Sequence, residues 1–559
     1  MTSNQRTFSS DLSEEYQKQI SRSASPSLPS ITSGPWWILL SLLSAVMLIF
    51  TFPEPGLSAL AWIALVPLFM IIITASFSRT LLAAIVTGVL FYVVYLFWMK
   101  EYKHPLALSG GVFGVMVFWL GAVIISFFMY HSVPARGRAL RGVRLVALVC
   151  GWFVIDYVKT IGYLAFPWGI IGYSQYKNLA LIQSASIFGI WGIDALILLC
   201  NASLAGLAVD ILSRRAGEGR LPGVRRFILP VAVFFLVIAS MAWGLAKLSE
   251  ERRSTFTKKR IAMVQANFDP WSPQLQENIS REIELTLQSL STNPDLIVWS
   301  ESSVPFPYEY YLSRENPHAL RVHHFMASTG KPFIFGTIEF DGTDEGGIRR
   351  GDYYNSAVYY NGGTLVGTYR KIHLVPFGEW FPYKRLFPFV VRILDAAGAG
   401  DFTPGDQYTI FRDSGMRFNV LICFEDVFGN LTRQFVKRGS QLLINVTNDA
   451  WTGSARAEIQ HYAFSIFRTI ENRRSLVRAA NGGVTVCVNP YGRPTAQLAL
   501  FTSDVLVCDV DIADGNEMTF YTRYGDLLPL IIVPLTLLAG LVLLIRMFIR
   551  MFILRIGKN

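Results

Sequence analysis

Three residues of types that catalyse acyl transfer each come after an apolar run typical of a buried β-strand. Cys423 follows NVLI, Glu301 follows LIVWS and Lys371 follows GTLVGTYR. A thiol can act as a nucleophile, a carboxylate can accept its proton, and an ammonium group can stabilise both a thiolate and the oxyanion of a tetrahedral intermediate. If the fold brings these strand ends together, the three residues supply the parts of a cysteine-dependent acyl-transfer site.

The segment from Asn419 to Gly429 is predicted to place Cys423 at a turn between a strand and a helix. A helix N-terminus favours the thiolate, but Glu425 and Asp426 oppose it, so a base and a cation must come from elsewhere. Each residue also has a simpler explanation. A free cysteine is usually a small buried hydrophobe, and a Glu or Lys after a strand is usually a solvated loop residue.

The composition indicates a membrane protein of more than one domain. The chain has 559 residues, of which 52% are hydrophobic, and a net charge of +10. Because the positive charge lies largely in short Arg-rich segments beside apolar runs, it is typical of a polytopic membrane protein and not of a nucleic-acid-binding one. The five cysteines have neither CxxC nor CxH spacing, so the sequence supports neither a disulfide framework nor a zinc site.

Eight apolar runs are long enough to cross a bilayer, which takes ~20 residues in a helix. They lie near residues 36–52, 57–77, 80–99, 107–130, 142–159, 188–212, 226–247 and 526–548. The predicted organisation is a polar tail at 1–34, a membrane domain at 35–250 with about seven spans, a separate domain at 258–514, a last span at 526–548 and a basic tail at 549–559. The apolar segment 160–190 is broken by Gly and Pro, which predicts a re-entrant or interfacial segment.

The placement of Arg and Lys predicts which side each loop faces, since positive residues in short loops stay in the cytoplasm. The clusters at 136–144, 214–226 and 546–558 fall on one side if seven spans precede the large domain and one follows it. The tail at 1–34 shares that side. We therefore expect the 258–514 domain to lie outside the cytoplasm.

Between residues 258 and 514 the pattern changes to short β-rich runs that alternate with amphipathic stretches. The predicted strands are 260–265, 296–299, 333–338, 357–360, 365–369, 419–422, 442–446, 484–488 and 505–510. The predicted helices are 274–290, 315–329, 425–438 and 456–475. This alternation predicts one α/β domain with a layered, covered sheet, in which functional residues gather at strand ends.

Longer strings around the three candidate residues resemble a known enzyme signature. VWSESSVPF around Glu301, YRKIHLVPFGEWFP around Lys371 and LICFEDVFG around Cys423 resemble the Glu-Lys-Cys signature of the nitrilase (carbon–nitrogen hydrolase) superfamily. NVTNDAWTGSARAEIQHYAFSIFRTIENRRSLVRAANGGVT at 445–485 and FPWGIIGYSQ at 166–175 resemble its membrane branch, the apolipoprotein N-acyltransferases. The resemblance covers roughly residues 35 to 548.

The resemblance implies a role for each matching residue. Cys423 corresponds to the nucleophile, Glu301 to the general base and Lys371 to the cation on the oxyanion side. Glu379 corresponds to a second glutamate that braces the lysine, and Glu425 to the acid that supports the turn at the nucleophile.

Other positions match the family pocket or depart from its pattern. Asn355 and Trp271 resemble pocket residues. Ser300 stands where the branch commonly has Pro, and Phe424 stands where some members have Tyr. Neither departure removes a catalytic group, although the first loosens a backbone restraint and the second removes a hydroxyl.

The resemblance also implies a reaction, a fold and a location. The reaction is phospholipid-dependent N-acylation of the N-terminal S-diacylglyceryl cysteine of apolipoproteins. It proceeds by ping-pong transfer through a thioester, without metal or organic cofactor, as the last step of bacterial lipoprotein maturation. The implied fold is an α-β-β-α nitrilase-like sandwich inserted into a polytopic α-helical membrane protein. We expect a monomer in the inner membrane with the catalytic domain on the periplasmic side.

Two aromatic segments flank the candidate site, at 304–312 (VPFPYEYYL) and 380–394 (WFPYKRLFPFVVRIL). Both acyl substrates would be anchored in the bilayer, so we interpret these segments as lids or lipid-facing arms that include Trp380, Phe387 and Phe389. The alternative is that they pack as ordinary core between the layers of the domain.

Two other functions are compatible with parts of the sequence. A membrane-tethered nitrilase-like amidase would keep the Glu-Lys-Cys site and release the acyl group to water. A transporter or receptor would use the external domain only to bind a ligand, with Cys423 as a core thiol. Several membrane spans favour the acyltransferase over the amidase, because a single anchor would suffice for the latter.

Overall fold

The computed structural model describes most of the chain. The described residues are 34–102, 107–134, 140–215, 224–254, 256–270, 274–345, 348–381, 401–514 and 517–556. Trp271, Phe387 and Phe389 lie outside them.

The amino-terminal half consists of helices joined by short turns. The α-helices are Trp36–Thr51, Val66–Thr74, Phe77–Tyr95, Ala107–Ser132, Leu140–Val158, Leu179–Ile182, Ala185–Phe188, Ile190–Arg215 and Ile228–Glu251, and the chain ends with Leu527–Ile556. The 3₁₀ turns are Ser58–Trp62, Phe97–Glu101, Ile171–Gln175 and Val224–Phe227. A helix therefore lies at each of the eight positions where the sequence predicts a span.

Five helices in the described part of the chain are long and apolar enough to cross a membrane. They are Phe77–Tyr95, Ala107–Ser132, Ile190–Ser213, Ile228–Glu251 and Leu527–Arg546. The Trp36–Thr51 helix has 16 residues, and Leu140–Val158 carries three charged side chains. The protein is thus a membrane protein by its helices, while the count of eight spans stays a prediction.

A buried asparagine fixes the junction between the first 3₁₀ turn and the helix that follows it. The Nδ2 of Asn201 donates to the carbonyl of Ala61 at 2.8 Å, and its Oδ1 accepts from the N–H of Leu65 at 2.8 Å. A break in a helix leaves such backbone groups without intrahelical partners, and in an apolar bundle a side chain must supply them.

The 160–190 segment lies between the membrane helices and the second half of the chain. The ring of Trp168 stacks on that of Phe424 with centroids 5.7 Å apart, and the hydroxyl of Tyr173 accepts from Arg468 at 3.3 Å. The segment thus contacts the residue next to the candidate nucleophile.

The second half of the chain forms an α/β domain. Its strands are β1 (Thr257–Gln265), β2 (Leu296–Val298), β3 (Val304–Pro307), β4 (Phe333–Glu345), β5 (Ile348–Asn361), β6 (Thr364–Arg370), β7 (Phe411–Asp413), β8 (Met416–Ile422), β9 (Leu442–Thr447), β10 (Ser475–Ala480), β11 (Val486–Val488), β12 (Pro494–Gln497) and β13 (Asp504–Ile512). Its helices are Leu275–Leu290, Tyr308–Leu312, Pro317–Thr329, Gly429–Lys437, Ala455–Asn472 and Phe520–Tyr524, with 3₁₀ turns at Cys423–Val427 and Ala450–Thr452.

The strands form two sheets. The first has the order β13-β1-β2-β4-β5-β6, with β3 also paired to β4, and the second has the order β12-β11-β10-β9-β8-β7. Strands β1, β2 and β4 run parallel, as do β8, β9 and β10. The carboxyl ends of the parallel strands carry the loops in which Glu301 and Cys423 lie.

Alternate residues of β1 belong to two different cores, as the two-residue period of a strand requires. Ile261 and Met263 belong to a core that includes residues of β8, such as Val420. Ala262 and Val264 belong to a second core with residues of the Leu275–Leu290 helix. The side chains of β1 therefore contribute to a core on each face of the first sheet.

All nine predicted strands are present, but the sequence pattern misses β3, β7, β10 and β12. Strand β10 has the sequence SLVRAA, in which Arg478 interrupts the apolar run, and β3 contains two prolines. The predicted helix at 425–438 is wrong in its first part. A 3₁₀ turn at Cys423–Val427 precedes the Gly429–Lys437 helix because Phe428 adopts an extended conformation.

The interpretation of residues 304–312 as a lid is wrong. Val304 pairs with Thr337 of β4, and Val304, Phe306 and Tyr308 are buried in the core of the domain. The aromatic residues of this segment fill space between a strand and the helices that cover it. The alternative interpretation, ordinary core packing, is correct for this segment.

Cys487 of β11 and Cys508 of β13 form a disulfide, although the sequence gives no reason to expect one. The two strands belong to different sheets. A bridge between sheets has no characteristic local spacing, which is why a search for CxxC patterns misses it.

Candidate active site

Three strand ends meet at one place in the domain. Glu301 lies in the loop after β2, Lys371 directly follows β6, and Cys423 directly follows β8. The Nζ of Lys371 is 3.4 Å from Oε1 of Glu301. The charges of Glu301 and Lys371 both act on the thiol of Cys423. The structure therefore brings together the three residues that the sequence singles out.

Glu301 is held by donors from both sheets. Its Oε1 accepts from Nδ2 of Asn355 at 2.8 Å, and its Oε2 accepts from the backbone N–H of Asn448, in the loop after β9, at 2.9 Å. Gly336 permits the close approach of this loop to β4, because a Cβ there would lie 2.6 Å from the Cα of Glu301. The carboxylate is thereby fixed in orientation.

Lys371 is almost completely buried, with 1% of its surface exposed. Its Nζ lies 2.7 Å from Oε1 of Glu379. Burial by itself lowers the pKa of Lys371, but the carboxylates of Glu379 and Glu301 outweigh it and raise that pKa above its ordinary value. The lysine is therefore a permanent cation at physiological pH.

Glu379 closes this hydrogen-bonded group. Its Oε1 accepts from both Lys371 and Asn355, at 2.7 Å each, and its Oε2 accepts from the N–H of Val375 at 2.8 Å. Asn355 thus donates to both glutamates. This position fits an orienting role better than direct contact with a substrate.

Cys423 occupies a left-handed backbone conformation with φ of 50°, which non-glycine residues rarely adopt. It begins the 3₁₀ turn that replaces the predicted helix N-terminus. Burial and the charge of Glu301 raise the pKa of the Cys423 thiol well above its ordinary value, and Lys371 opposes them. The resting nucleophile is therefore a thiol, whose proton must be removed as it attacks.

Glu425 ties the turn at Cys423 to the segment after Lys371. Its Oε1 accepts from the N–H groups of Ile372 and His373 and from the hydroxyl of Tyr369, and its Oε2 accepts from the N–H of Ile422. Burial raises the pKa of Glu425 to about 7, although these donors oppose the shift. One buried carboxylate thus links the two strand ends that carry Lys371 and Cys423.

The acid–base arrangement suits nucleophilic catalysis. Burial raises the pKa of Glu301 and Lys371 lowers it, so the carboxylate is a stronger base than a solvated one and still lies beside a fixed cation. Within the described residues no group of three or more His, Cys, Asp or Glu side chains is arranged to hold a metal ion.

Of the expected pocket or arm residues, the structure describes only Asn355 and Trp380. The ring of Trp380 lies 5.2 Å from that of Tyr163, in the loop that precedes Trp168. This contact joins Trp380 of the α/β domain to the helical half of the chain. Trp271, Phe387 and Phe389 fall on residues outside those described.

Sequence reasoning misses two groups that contact the site directly. The backbone N–H of Asn448 binds Glu301, and the side chain of Asn445 donates to the carbonyl of Cys423 at 3.2 Å. Both belong to NVTND at 445–449, which the sequence places in a family block without assigning roles. The sequence did contain a signal for them, because Asn445 lies inside a buried strand and Asn448 directly follows it.

Comparisons with known proteins match both the α/β domain and the helical half of the chain. The carbon-nitrogen hydrolase family model matches residues 260–519, and the apolipoprotein N-acyltransferase N-terminal domain model matches residues 44–203. Among solved structures, an amidase from Nesterenkonia sp. aligns with a TM-score of 0.35 at 18% identity, over 48% of this chain and 94% of the amidase.

Curated relatives match over nearly the whole chain. An apolipoprotein N-acyltransferase of Geobacter metallireducens is 34% identical over 505 residues, which cover 87% of this chain and 91% of the relative. Apolipoprotein N-acyltransferase 1 of Treponema denticola is 30% identical over 554 residues, 92% of this chain and 97% of the relative. The chain therefore belongs to the apolipoprotein N-acyltransferase family.

Proposed function

We propose that this protein transfers an acyl group from a membrane phospholipid to the α-amino group of the N-terminal S-diacylglyceryl cysteine of apolipoproteins. This is the last step of bacterial lipoprotein maturation. The observation that carries the proposal is the buried Glu301–Lys371 pair beside Cys423, in a domain that contacts the helical half of the chain through Trp98 and Trp168. The names of the relatives supply the acceptor class.

In the first half-reaction Cys423 attacks the carbonyl carbon of the phospholipid ester. Glu301 takes the thiol proton as the S–C bond forms, and Lys371 together with a backbone N–H of the turn stabilises the oxyanion. The ester C–O bond then breaks, and Glu301 returns the proton to the departing lysophospholipid. The product is a thioester on Cys423.

In the second half-reaction the acceptor amine attacks the thioester. Glu301 accepts the amine proton as the N–C bond forms and returns it to the sulfur as the C–S bond breaks. The thiol is regenerated and the kinetics are ping-pong. The chain's own base, cation and nucleophile are sufficient for both steps, so the reaction requires no metal or organic cofactor.

Glu379 and Glu425 support these three groups without reacting. Glu379 holds Lys371 in position, and Glu425 holds the turn that carries Cys423. The resemblance assigns Trp271 and Asn355 to the pocket. The hydrogen bonds of Asn355 to Glu301 and Glu379 give it the role of orienting these two glutamates.

We also propose eight membrane spans around an α-β-β-α domain, with boundaries at 1–34, 35–250, 258–514, 526–548 and 549–559. The basic loops are cytoplasmic and the catalytic domain is periplasmic, at the bacterial inner membrane. The disulfide between Cys487 and Cys508 supports this orientation, because disulfides persist in oxidising compartments such as the periplasm. The protein acts as a monomer.

Both substrates carry acyl chains that leave the bilayer at a cost of ~0.8 kcal/mol per CH₂, so the site must be reached from the membrane. Trp380, Phe387 and Phe389 belong to an arm that faces lipid. The contact between Trp380 and Tyr163 of the membrane domain supports this assignment.

The intact mass of the purified protein, after incubation with a phospholipid of defined chains, tests the proposal. We expect the native protein to gain one acyl group, Cys423→Ser to gain none, and a diacylglyceryl peptide to discharge the adduct. Release by water alone would instead identify a hydrolase. The absence of any adduct would overturn the proposed function.

A further inference from the structure

The backbone at Cys423 needs an external support. A non-glycine residue in the left-handed region costs about 1–3 kcal/mol and persists only when its surroundings hold it there. The carbonyl of Cys423 shows one such support, since it accepts a hydrogen bond from Nδ2 of Asn445 at 3.2 Å. The same Nδ2 donates to the carbonyl of Leu421 at 3.3 Å.

Asn445 is itself fixed by the register of the second sheet. It lies on β9, opposite Leu421 of β8 on one side and opposite Arg478 of β10 on the other. Its Oδ1 accepts from a guanidinium nitrogen of Arg478 at 2.7 Å. Because arginine only donates, this bond determines which end of the amide faces the carbonyl of Cys423.

Arg478 is fully buried and holds a second point of the same turn. Its guanidinium lies 2.6 Å from Asp426 and 2.6 Å from Asp449. Asp426 is three residues after Cys423, near the end of the 3₁₀ turn. His461 contacts the same two carboxylates, with Nε2 2.9 Å from Asp426 and Nδ1 3.1 Å from Asp449, and this Nδ1 also lies 3.1 Å from Arg478. Two positive groups therefore face two negative ones behind the nucleophile.

We propose that Asn445 and Arg478 are positioning residues that hold the Cys423 turn in its reactive conformation. Arg478 fixes the amide of Asn445 and the carboxylate of Asp426, and these two groups fix the beginning and the end of the turn. Their hydrogen bonds go to the backbone and the carboxylates around the turn. The inference rests on the proposed function, since the acylation rate of Cys423 is the quantity that positioning changes.

The test measures the rate of acyl-enzyme formation by intact mass in the full-length protein, with phospholipid of defined chains. In Asn445→Ala and in Arg478→Lys we expect this rate to fall roughly 100-fold, with the half-saturating phospholipid concentration unchanged, because displacement of a reacting group costs rate and not affinity. Lysine keeps the charge but cannot bridge Asn445 and both carboxylates in one plane.

Asn419→Ala is the matched control. Asn419 is equally buried on β8, and its side chain accepts from Ser440 and does not contact the turn. We expect it to lower the melting temperature as much as Asn445→Ala does, while its acylation rate per folded molecule stays native. Arg478→Lys provides a second variant if Asn445→Ala does not fold.

The outcomes separate the two proposals. If the native protein is acylated and both variants are acylated at the native rate per folded molecule, the positioning role is overturned and the proposed function stands. If the native protein is not acylated, the proposed function is overturned, and the rate of Cys423 alkylation by iodoacetamide decides the positioning role. Slower alkylation in both variants than in Asn419→Ala supports it, and equal rates overturn it.

Discussion

The Nζ of Lys371 lies 2.7 Å from Oε1 of Glu379, whereas its distance to Oε1 of Glu301 is 3.4 Å. The nearer counter-ion of the lysine is therefore Glu379 and not Glu301, the proposed base. This asymmetry leaves Glu301 free to accept a proton, since burial and the charge of Glu379 raise its pKa against the opposing effect of Lys371.

Replacement of Glu379 should make Glu301 a weaker base and remove the hydrogen bond that holds Lys371 in position. Glu379→Gln removes a negative charge near Glu301, so the pKa of Glu301 should fall. The acylation rate falls at acid pH where Glu301 becomes protonated, and this part of the pH profile should move to lower pH. The rate at neutral pH should fall roughly tenfold, because a carboxylate of lower pKa is a weaker base. Single-turnover acylation measured across pH checks both effects.

Glu339→Gln is the control for that experiment. Glu339 is also ion-paired, with Arg370, but it does not contact Lys371 or Glu301. Its replacement should leave the pH profile in place. A profile for Glu379→Gln that coincides with the native one would contradict the assignment of Glu379.

The three candidate catalytic residues could be predicted from the sequence, but the residues that hold them in position could not. Cys423, Lys371 and Glu301 each follow an apolar run, which makes them candidates, and the resemblance of the surrounding strings to the Glu-Lys-Cys signature singles them out. Asn445 lies inside a predicted strand whose pattern does not indicate its contacts, and Arg478 interrupts the apolar run of β10, which the pattern misses. Their function depends on the order of β8, β9 and β10, and strand order is set by packing that no local window of sequence contains.

The arm of the catalytic domain should be needed only when the substrate is in a membrane. Charging it with Phe387→Asp and Phe389→Asp should impair turnover of phospholipid in vesicles while the protein still folds, because a carboxylate opposes contact with lipid. Leu287→Asp changes an exposed apolar residue on a helix of the same domain and should have no effect. If the arm variant and this control turn over phospholipid in vesicles at the same rate, the arm has no role in the reaction.

Loss of the disulfide should destabilise the catalytic domain. A bridge between cysteines 21 residues apart contributes about 3 kcal/mol by restricting the unfolded chain. Cys487→Ala with Cys508→Ala should therefore lower the melting temperature, and reductant should do the same to the native protein but not to the variant. Alkylation of both cysteines in the non-reduced native protein would show that the bridge is absent.

His461 should make the stability of the protein fall at alkaline pH. Both of its ring nitrogens face carboxylates, Nε2 towards Asp426 and Nδ1 towards Asp449, and a guanidinium nitrogen of Arg478 lies 3.1 Å from the same Nδ1. Burial and Arg478 lower the pKa of His461, but the two carboxylates outweigh them and raise it from 6.5 to about 9.

A folded-state pKa above the unfolded value means that the stabilisation by His461 is complete below pH 6.5 and is lost as the pH rises through about 9. The difference corresponds to about 3 kcal/mol. Thermal melting of the native protein and of His461→Gln between pH 6.5 and about 9 isolates the contribution of His461 to stability, because every other group titrates in both proteins. We expect the native protein to be more stable at the acid end and the two to converge at the alkaline end. A constant difference across the window would mean that His461 is neutral throughout, and that the two carboxylates behind Cys423 are balanced by Arg478 alone.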